Sequence, residues 1–141
     1  MIIGGSTSDG TPAPMTTLRT VMCWLFGLLF VAAGVNHVVN PDFYVRIMPP
    51  YLPWHRSLVY ISGVAEAGLG ALLLVPRFRS VGAWSLIALL VAVWPANIHM
   101  AMHPDLFPTF PPAALWGRVA FQGVIIAWAY WFTGRPDRRR V

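Results

Sequence analysis

The sequence predicts an all-α, polytopic membrane protein: a bundle of four transmembrane helices, with a short interfacial helix between the first and the second. Three observations carry this. Apolar residues make up 57% of the 141-residue chain and charged residues 11%, where a soluble globular domain carries about 25% charged residues. The mean hydropathy is +0.60, which excludes disorder and an ordinary cytosolic fold. The apolar residues are also gathered into four runs of roughly 19 to 22 residues, each long enough to cross ~30 Å of hydrocarbon at 1.5 Å per residue.

Residues 1–17 are rich in Gly, Ser, Thr and Pro and read as a flexible tail, with Met15 an equally good start. They lack the basic segment and apolar core of a signal peptide. The first run spans Leu18 to Val39, the second Ser57 to Val75, the third Val81 to Met102 and the fourth Pro112 to Phe132. The runs are apolar all round, unlike the one-sided stripe of a soluble helix. They are also too long and too uniform for barrel strands. Backbone groups in lipid must be paired within their own segment, so these are helices.

The punctuation agrees. Ser57 is placed to cap the second helix, with Pro53 an alternative opening a turn earlier, and Pro76 ends it. Thr109, Pro111 and Pro112 open the fourth helix, and Gly134 with Pro136 closes it. Pro95 lies inside the third run, where it removes a backbone donor and predicts a kink. Asn40 and Pro41 form a cap and first turn, followed by Phe43, Tyr44, Ile47 and Met48 at helical spacing. Asp42 and Arg46 are placed to pair at i,i+4. This is the interfacial helix. The domain is therefore 18–134, and 135–141 form a basic tail.

The ten basic residues are all Arg, scattered between apolar blocks rather than gathered on a soluble face, which argues against nucleic acid. Their distribution sets the orientation. Arg19, Arg77, Arg79, Arg135, Arg138, Arg139 and Arg140 fall on one side, Arg46 and Arg56 on the other. The sequence predicts a multi-pass protein of the cell (inner) membrane with both termini cytoplasmic. The lone Cys23 excludes an intrachain disulfide and a Cys-x-x-Cys centre.

Ionisable groups inside a span cost about 2.5 to 3.5 kcal/mol near a helix centre, so each needs a partner. Glu66 lies about 12 Å below the outer end of the second helix and Arg118 about 8 to 9 Å below that of the fourth. Asn36 and His37 end the first helix, Asn97, His99 and His103 follow Pro95 in the third, and Gln122 stands one turn from Arg118. All fall in the outer half, which predicts a polar cavity opening outward, with Trp94 and Trp116 as flat walls. The alternative is structural: Glu66 and Arg118 pair, and His37 and Asn97 complete a network that fixes helix register. Asn97 and His99 are two positions apart and point to nearly opposite faces of a regular helix, so only a distortion at Pro95 brings both inward. His99 and His103, at i,i+4, could share a zinc ion with His37 or Glu66 as third ligand. His37 and His99 could ligate haem. No nucleophile motif, phosphate loop or dinucleotide fingerprint is present.

Several of these residues carry a family resemblance. His37 followed by Pro41 and Phe43, the Pro50-x-x-Pro53 bend, Ser62-Gly63-x-x-Glu66, Arg79, Pro95-Ala96-Asn97 and the trailing histidines resemble the DoxX-like family of small four-helix membrane proteins. The likeness covers roughly Gly34 to His103, with the fourth helix matching in character only. It implies that Glu66 and His37 are the family's glutamate and histidine. It also implies kinship with a subunit of a thiosulfate:quinone oxidoreductase and, more distantly, with the nicotinic-receptor chaperone NACHO. The solitary Cys23 departs from a thiol-redox role.

Two functions follow as expectations, the first preferred and the second its alternative. One is a non-catalytic chaperone, assembly factor or accessory subunit that docks other membrane proteins, supported by the small-residue strip Gly63, Ala67, Gly70 and Ala71. The other is a ligand-handling or quinone-linked redox subunit that binds a quinone, haem or small polar molecule in the outer cavity. A homodimer is compatible with both.

Overall fold

Thr16 starts the first helix. Its hydroxyl accepts the Arg19 backbone N–H at 3.4 Å, an N-cap that satisfies one of the first-turn donors, and α1 follows as Thr17–Val39. The helix thus begins inside the stretch expected to be tail. The computed structural model describes residues 16–134. The rest of that tail, the alternative start at Met15 and the basic segment 135–141 lie outside the described residues.

After α1 come α2 (Pro41–Ile47), α3 (His55–Leu74), α4 (Arg79–Met102), a 3-10 turn at Pro104–Leu106 and α5 (Pro112–Thr133). The chain is all-α over the described residues. Three helices, α1, α3 and α4, are long and apolar enough to cross a membrane by length and composition, where the sequence predicts four. α5 is as long as the others, at 22 residues, but Arg118, Gln122 and its tryptophans and tyrosine lower its hydropathy.

Several local expectations change. α3 opens at His55 with Trp54 before it in the left-handed region at φ 53°, a conformation that costs a bulky residue energy; Ser57 is therefore inside the helix and caps nothing. Thr109 makes no cap for α5, which opens with Pro111 at the cap position. Asp42 pairs with Arg56 of α3 rather than with Arg46, tying α2 to the start of α3. Pro95 lies inside α4, which stays helical on both sides of it.

Helix α1 packs against α3, α3 against α4, and α4 against α5. The α1–α3 contact is the closest, and glycine makes it so. A Cβ built on Gly70 would lie 2.7 Å from the Gly27 carbonyl oxygen, and one on Gly63 2.9 Å from that of Gly34. Both pairs are seven residues apart, one heptad, so two glycines on each helix meet two on its antiparallel neighbour.

Helices α1 and α5 share no extended backbone contact. They meet only near the end that carries the α1 N-terminus. There Phe26 touches the rings of Trp128 and Phe132, at 4.8 and 5.6 Å between centroids. Arg19 Nη2 donates to the carbonyls of Trp131 and Gly134, each at 2.8 Å. A guanidinium at a helix C-terminus satisfies orphan carbonyls and complements the dipole. Toward the α2 end the two helices part.

The core is accordingly divided. One cluster, with Cys23, Phe26, Phe30, Leu73, Leu86, Leu90 and Phe132 buried, fills the end where α1 and α5 meet. A second, with Ile47, Met100, Ala101, Phe107 and Leu115, closes the α2 end.

Candidate functional site

Between the two apolar clusters lies a cavity of about 370 Å³. Its existence follows from the packing: the glycine pairs draw α1 onto α3, while Trp94 Nε1 reaches across to the Val119 carbonyl at 3.3 Å to hold α4 against α5. The volume between these two helix pairs is filled only at its ends.

All five helical segments contribute to the walls. His37 comes from α1, Tyr44 and Ile47 from α2, Ser62 and Glu66 from α3, Asn97 from α4, and Arg118 and Gln122 from α5. Five of the seven residues expected at a polar site, His37, Glu66, Asn97, Arg118 and Gln122, line this one cavity. They do not form a single network.

On the α1–α3 wall, His37 and Glu66 are both buried. His37 Nδ1 lies 2.8 Å from the Ala33 carbonyl and 3.6 Å from Glu66 Oε2. A carbonyl only accepts, so Nδ1 carries a proton and gives it to Ala33. Glu66 receives no hydrogen bond from any described residue. Its carboxyl faces the cavity.

The α4–α5 wall holds a continuous chain. Arg118 Nη2 donates to Asn97 Oδ1 at 3.3 Å. Asn97 Nδ2 donates to Gln122 Oε1, and Gln122 Nε2 donates to the Leu90 carbonyl at 2.7 Å. Both ends of each amide are used, and Gln122 is buried. The expected Glu66–Arg118 ion pair does not form. Glu66 sits on α3 and Arg118 on α5, diagonal helices, and the cavity separates them.

Asn36 is exposed and off the cavity. It acts on the site through Tyr44, whose hydroxyl accepts Asn36 Nδ2 at 2.7 Å. Tyr44 in turn lies flat on the His37 ring, with centroids 3.6 Å apart and planes 20° from parallel. α2 is thus a cover over the cavity end. Its stacking ring was not foreseen, because helical spacing shows that residues share a face but not which neighbour they meet.

His99 does not join the site. The continuous helix through Pro95 keeps it on the face opposite Asn97, where its ring packs against His103 at 4.3 Å. His99 Nδ1 is buried without a hydrogen-bond partner, while His103 Nδ1 donates to the His99 carbonyl at 2.9 Å. His37 and His99 are therefore not presented to a common ligand, and the two-histidine arrangement for haem is not formed. No group of three or more metal-ligating side chains gathers among the described residues, so neither His37 nor Glu66 joins the His99–His103 pair as a third zinc ligand. Neither Trp94 nor Trp116 walls the cavity: the first bridges α4 and α5, and the second points outward, 52% exposed. Apolar walls come instead from Phe30, Val93, Phe121 and Ile125.

The small-residue strip of α3 is also placed differently from expectation. Gly63, Ala67 and Gly70 are engaged with α1, inside the molecule, and Ala71 is exposed. The signal for their partner was present in the sequence as the matching heptad of Gly27 and Gly34.

No curated protein and no solved structure matches the chain. A family model described as a domain of unknown function, DUF8561, matches residues 26–133, a span that contains every residue lining the cavity. That match takes in well over half of the sequence, and the chain accordingly belongs to the DUF8561 family.

Proposed function

We propose that this is a multi-pass membrane protein whose α1, α3, α4 and α5 all cross the bilayer, and whose cavity binds a small amphipathic molecule drawn from the lipid phase. The observation that carries the reading is a cavity of ligand size, about 370 Å³, with a guanidinium on one wall and, facing it, a carboxyl that receives no hydrogen bond. Pockets for small molecules typically measure about 300 to 1,000 Å³ and are apolar with a few placed polar groups. Counting α5 as a span is supported by its packing along α4 and by the position of its polar residues, Arg118 and Gln122, on the cavity side. In this reading α2 lies in the outer interface and both termini are cytoplasmic.

The second reading, a chaperone, assembly factor or accessory subunit that docks other membrane proteins or forms a homodimer, drew its support from the α3 strip. Three of the four residues of that strip are occupied by α1, so the ligand-binding reading is preferred. Kinship with the DoxX-like proteins and a place in a quinone-linked complex are compatible with either.

The test is native mass spectrometry of the full chain released from detergent. A small-molecule adduct is expected on the wild type. It should be lost in Ala33→Phe, which fills the cavity from α1, at an unchanged thermal midpoint. An adduct-free wild type, or an adduct that survives Ala33→Phe, overturns the reading.

A further inference from the structure

The cavity is open where α1 and α5 part, and the residues at that gap are apolar: Leu29 on α1 with Phe121 and Ile125 on α5. Leu29 and Phe121 are 50% and 57% exposed. In a bilayer this gap faces acyl chains, so a lipid-phase molecule reaches the polar walls sideways.

The polar walls specify more than polarity. The nearest basic side chain to Glu66 is His37, at 3.6 Å, but the His37 Nδ1 proton goes to the Ala33 carbonyl. Arg118 has the neutral Asn97 as its partner; of the other two acids near this end, Asp42 is taken by Arg56 and Asp105 is exposed in the 3-10 turn. The Arg118 guanidinium and the Glu66 carboxyl thus line one cavity without pairing with each other, and a buried carboxyl ionises readily only when a counter-charge comes beside it. A ligand that carries both complementary charges supplies both at once.

The order of the groups along the path fixes the order of the charges on the ligand. Arg118 on α5 is exposed and Glu66 on α3 is buried, so a molecule entering the cavity meets the guanidinium first and the carboxyl after it. The matching molecule has an acyl tail, then an anion, then a terminal cation. A guanidinium favours a phosphate, to which it presents a planar fork of donors. A carboxylate with no donor of its own favours an ammonium that still has N–H bonds to give.

Resting on the ligand-binding reading above, we infer that the cavity takes the headgroup of an aminophospholipid of the ethanolamine type. Its phosphodiester sits on Arg118, its primary ammonium on Glu66, and its acyl chains lie between α1 and α5. The cavity volume suits a headgroup and leaves the tails in the gap.

The test uses the full chain in mixed micelles that contain equal amounts of phosphatidylethanolamine, phosphatidylcholine and phosphatidylglycerol, with bound lipid read by native mass spectrometry. Phosphatidylethanolamine should exceed each of the others by about ten- to a hundredfold, the value of one charge-assisted hydrogen bond. Choline has no N–H to donate and glycerol has no cation. Glu66→Gln should erase the preference over phosphatidylglycerol while phosphatidylglycerol still binds. Arg118→Gln should weaken all three lipids. Ala33→Phe should remove them, which ties the signal to the cavity. Equal binding of the three lipids, lost in Ala33→Phe, overturns the headgroup assignment and leaves the ligand-binding reading standing. Binding that ignores Ala33→Phe overturns both. Displacement of the lipid by an equal concentration of water-soluble phosphoethanolamine overturns the lipid as source.

Discussion

Gly34 and Gly63 face each other across the α1–α3 contact so closely that a Cβ on either would overlap the other's carbonyl oxygen. The obstacle is backbone on both sides, which cannot rotate away as a flexible side chain would. In a membrane, where lipid tails are as apolar as side chains, such close approach is the main source of helix–helix attraction. Gly34→Ala and Gly63→Ala are each expected to force the helices apart and to cost about 1 to 3 kcal/mol, read as a lower unfolding midpoint in detergent. Gly117 is the control, because a Cβ there would stand in open space with no atom within 4 Å. Gly117→Ala should leave the midpoint unchanged or raise it by up to about 1 kcal/mol in equivalent stability. Equal losses at all three positions would falsify the assignment of Gly34 and Gly63 to the contact.

Much of this fold was legible in the sequence, and the reason is the length of its apolar runs. A long apolar run satisfies its own backbone as a helix, so the runs beginning at Leu18, Ser57, Val81 and Pro112 became helices beginning at Thr17, His55, Arg79 and Pro112. The same uniformity hides azimuth. A helix apolar all round carries little sign of which face turns inward, and depth counting put Glu66 and Arg118 at similar levels without showing that a cavity separates them. Where a polar residue broke the uniformity, rotation became readable: the two-residue spacing of Asn97 and His99 implied opposite faces, and that is how they lie. The α1 side of the α1–α3 contact had a signal too, the Gly27–Gly34 heptad matching Gly63–Gly70. The tryptophan positions carried no sign of direction, hence the misplacement of Trp94 and Trp116 as cavity walls.

Tyr44 seals the cavity by stacking on His37, and Asn36 only steadies its hydroxyl. The two contributions separate by substitution. Tyr44→Phe keeps the stack and loses one exposed hydrogen bond, an effect expected to stay below about 1 kcal/mol. Tyr44→Ala removes the cover. Ser62, on the cavity wall, reports the difference when replaced by cysteine in a Cys23→Ser background. Its labelling by a water-soluble maleimide should quicken several-fold with Tyr44→Ala and hardly at all with Tyr44→Phe. Equal rates in both would mean that α2 does not cover the site.

Asn97 and Gln122 share one hydrogen bond and depend on each other for satisfaction. Gln122→Leu leaves the Asn97 amide without its acceptor in a half-buried position, and Asn97→Leu leaves the Gln122 oxygen without its donor. Each single change is expected to cost about 1 to 3 kcal/mol. The double change removes both partners at once and should cost less than the two added together, with a coupling of at least about 0.5 kcal/mol. Thermal unfolding of the four proteins in one detergent measures the cycle. Strict additivity would show that the chain from Arg118 to Leu90 is not a working network.

The orientation proposed for the bundle rests on arginine placement. Arg19, Arg77 and Arg79 lie at the end where α1 begins and α3 gives way to α4. At the other end are Arg46 and Arg56, and Arg56 is paired with Asp42. The excess of arginines at the first end favours its retention on the cytoplasmic side. Single cysteines introduced in a Cys23→Ser background test this in intact cells. Asp105→Cys, exposed in the 3-10 turn between α4 and α5, should react with an impermeant maleimide added outside. Arg77→Cys, exposed in the link between α3 and α4, should react only after the membrane is permeabilised. The reverse pattern would invert the protein and move the cavity mouth to the cytoplasmic leaflet. Labelling of both sites from outside would show that α4 does not cross.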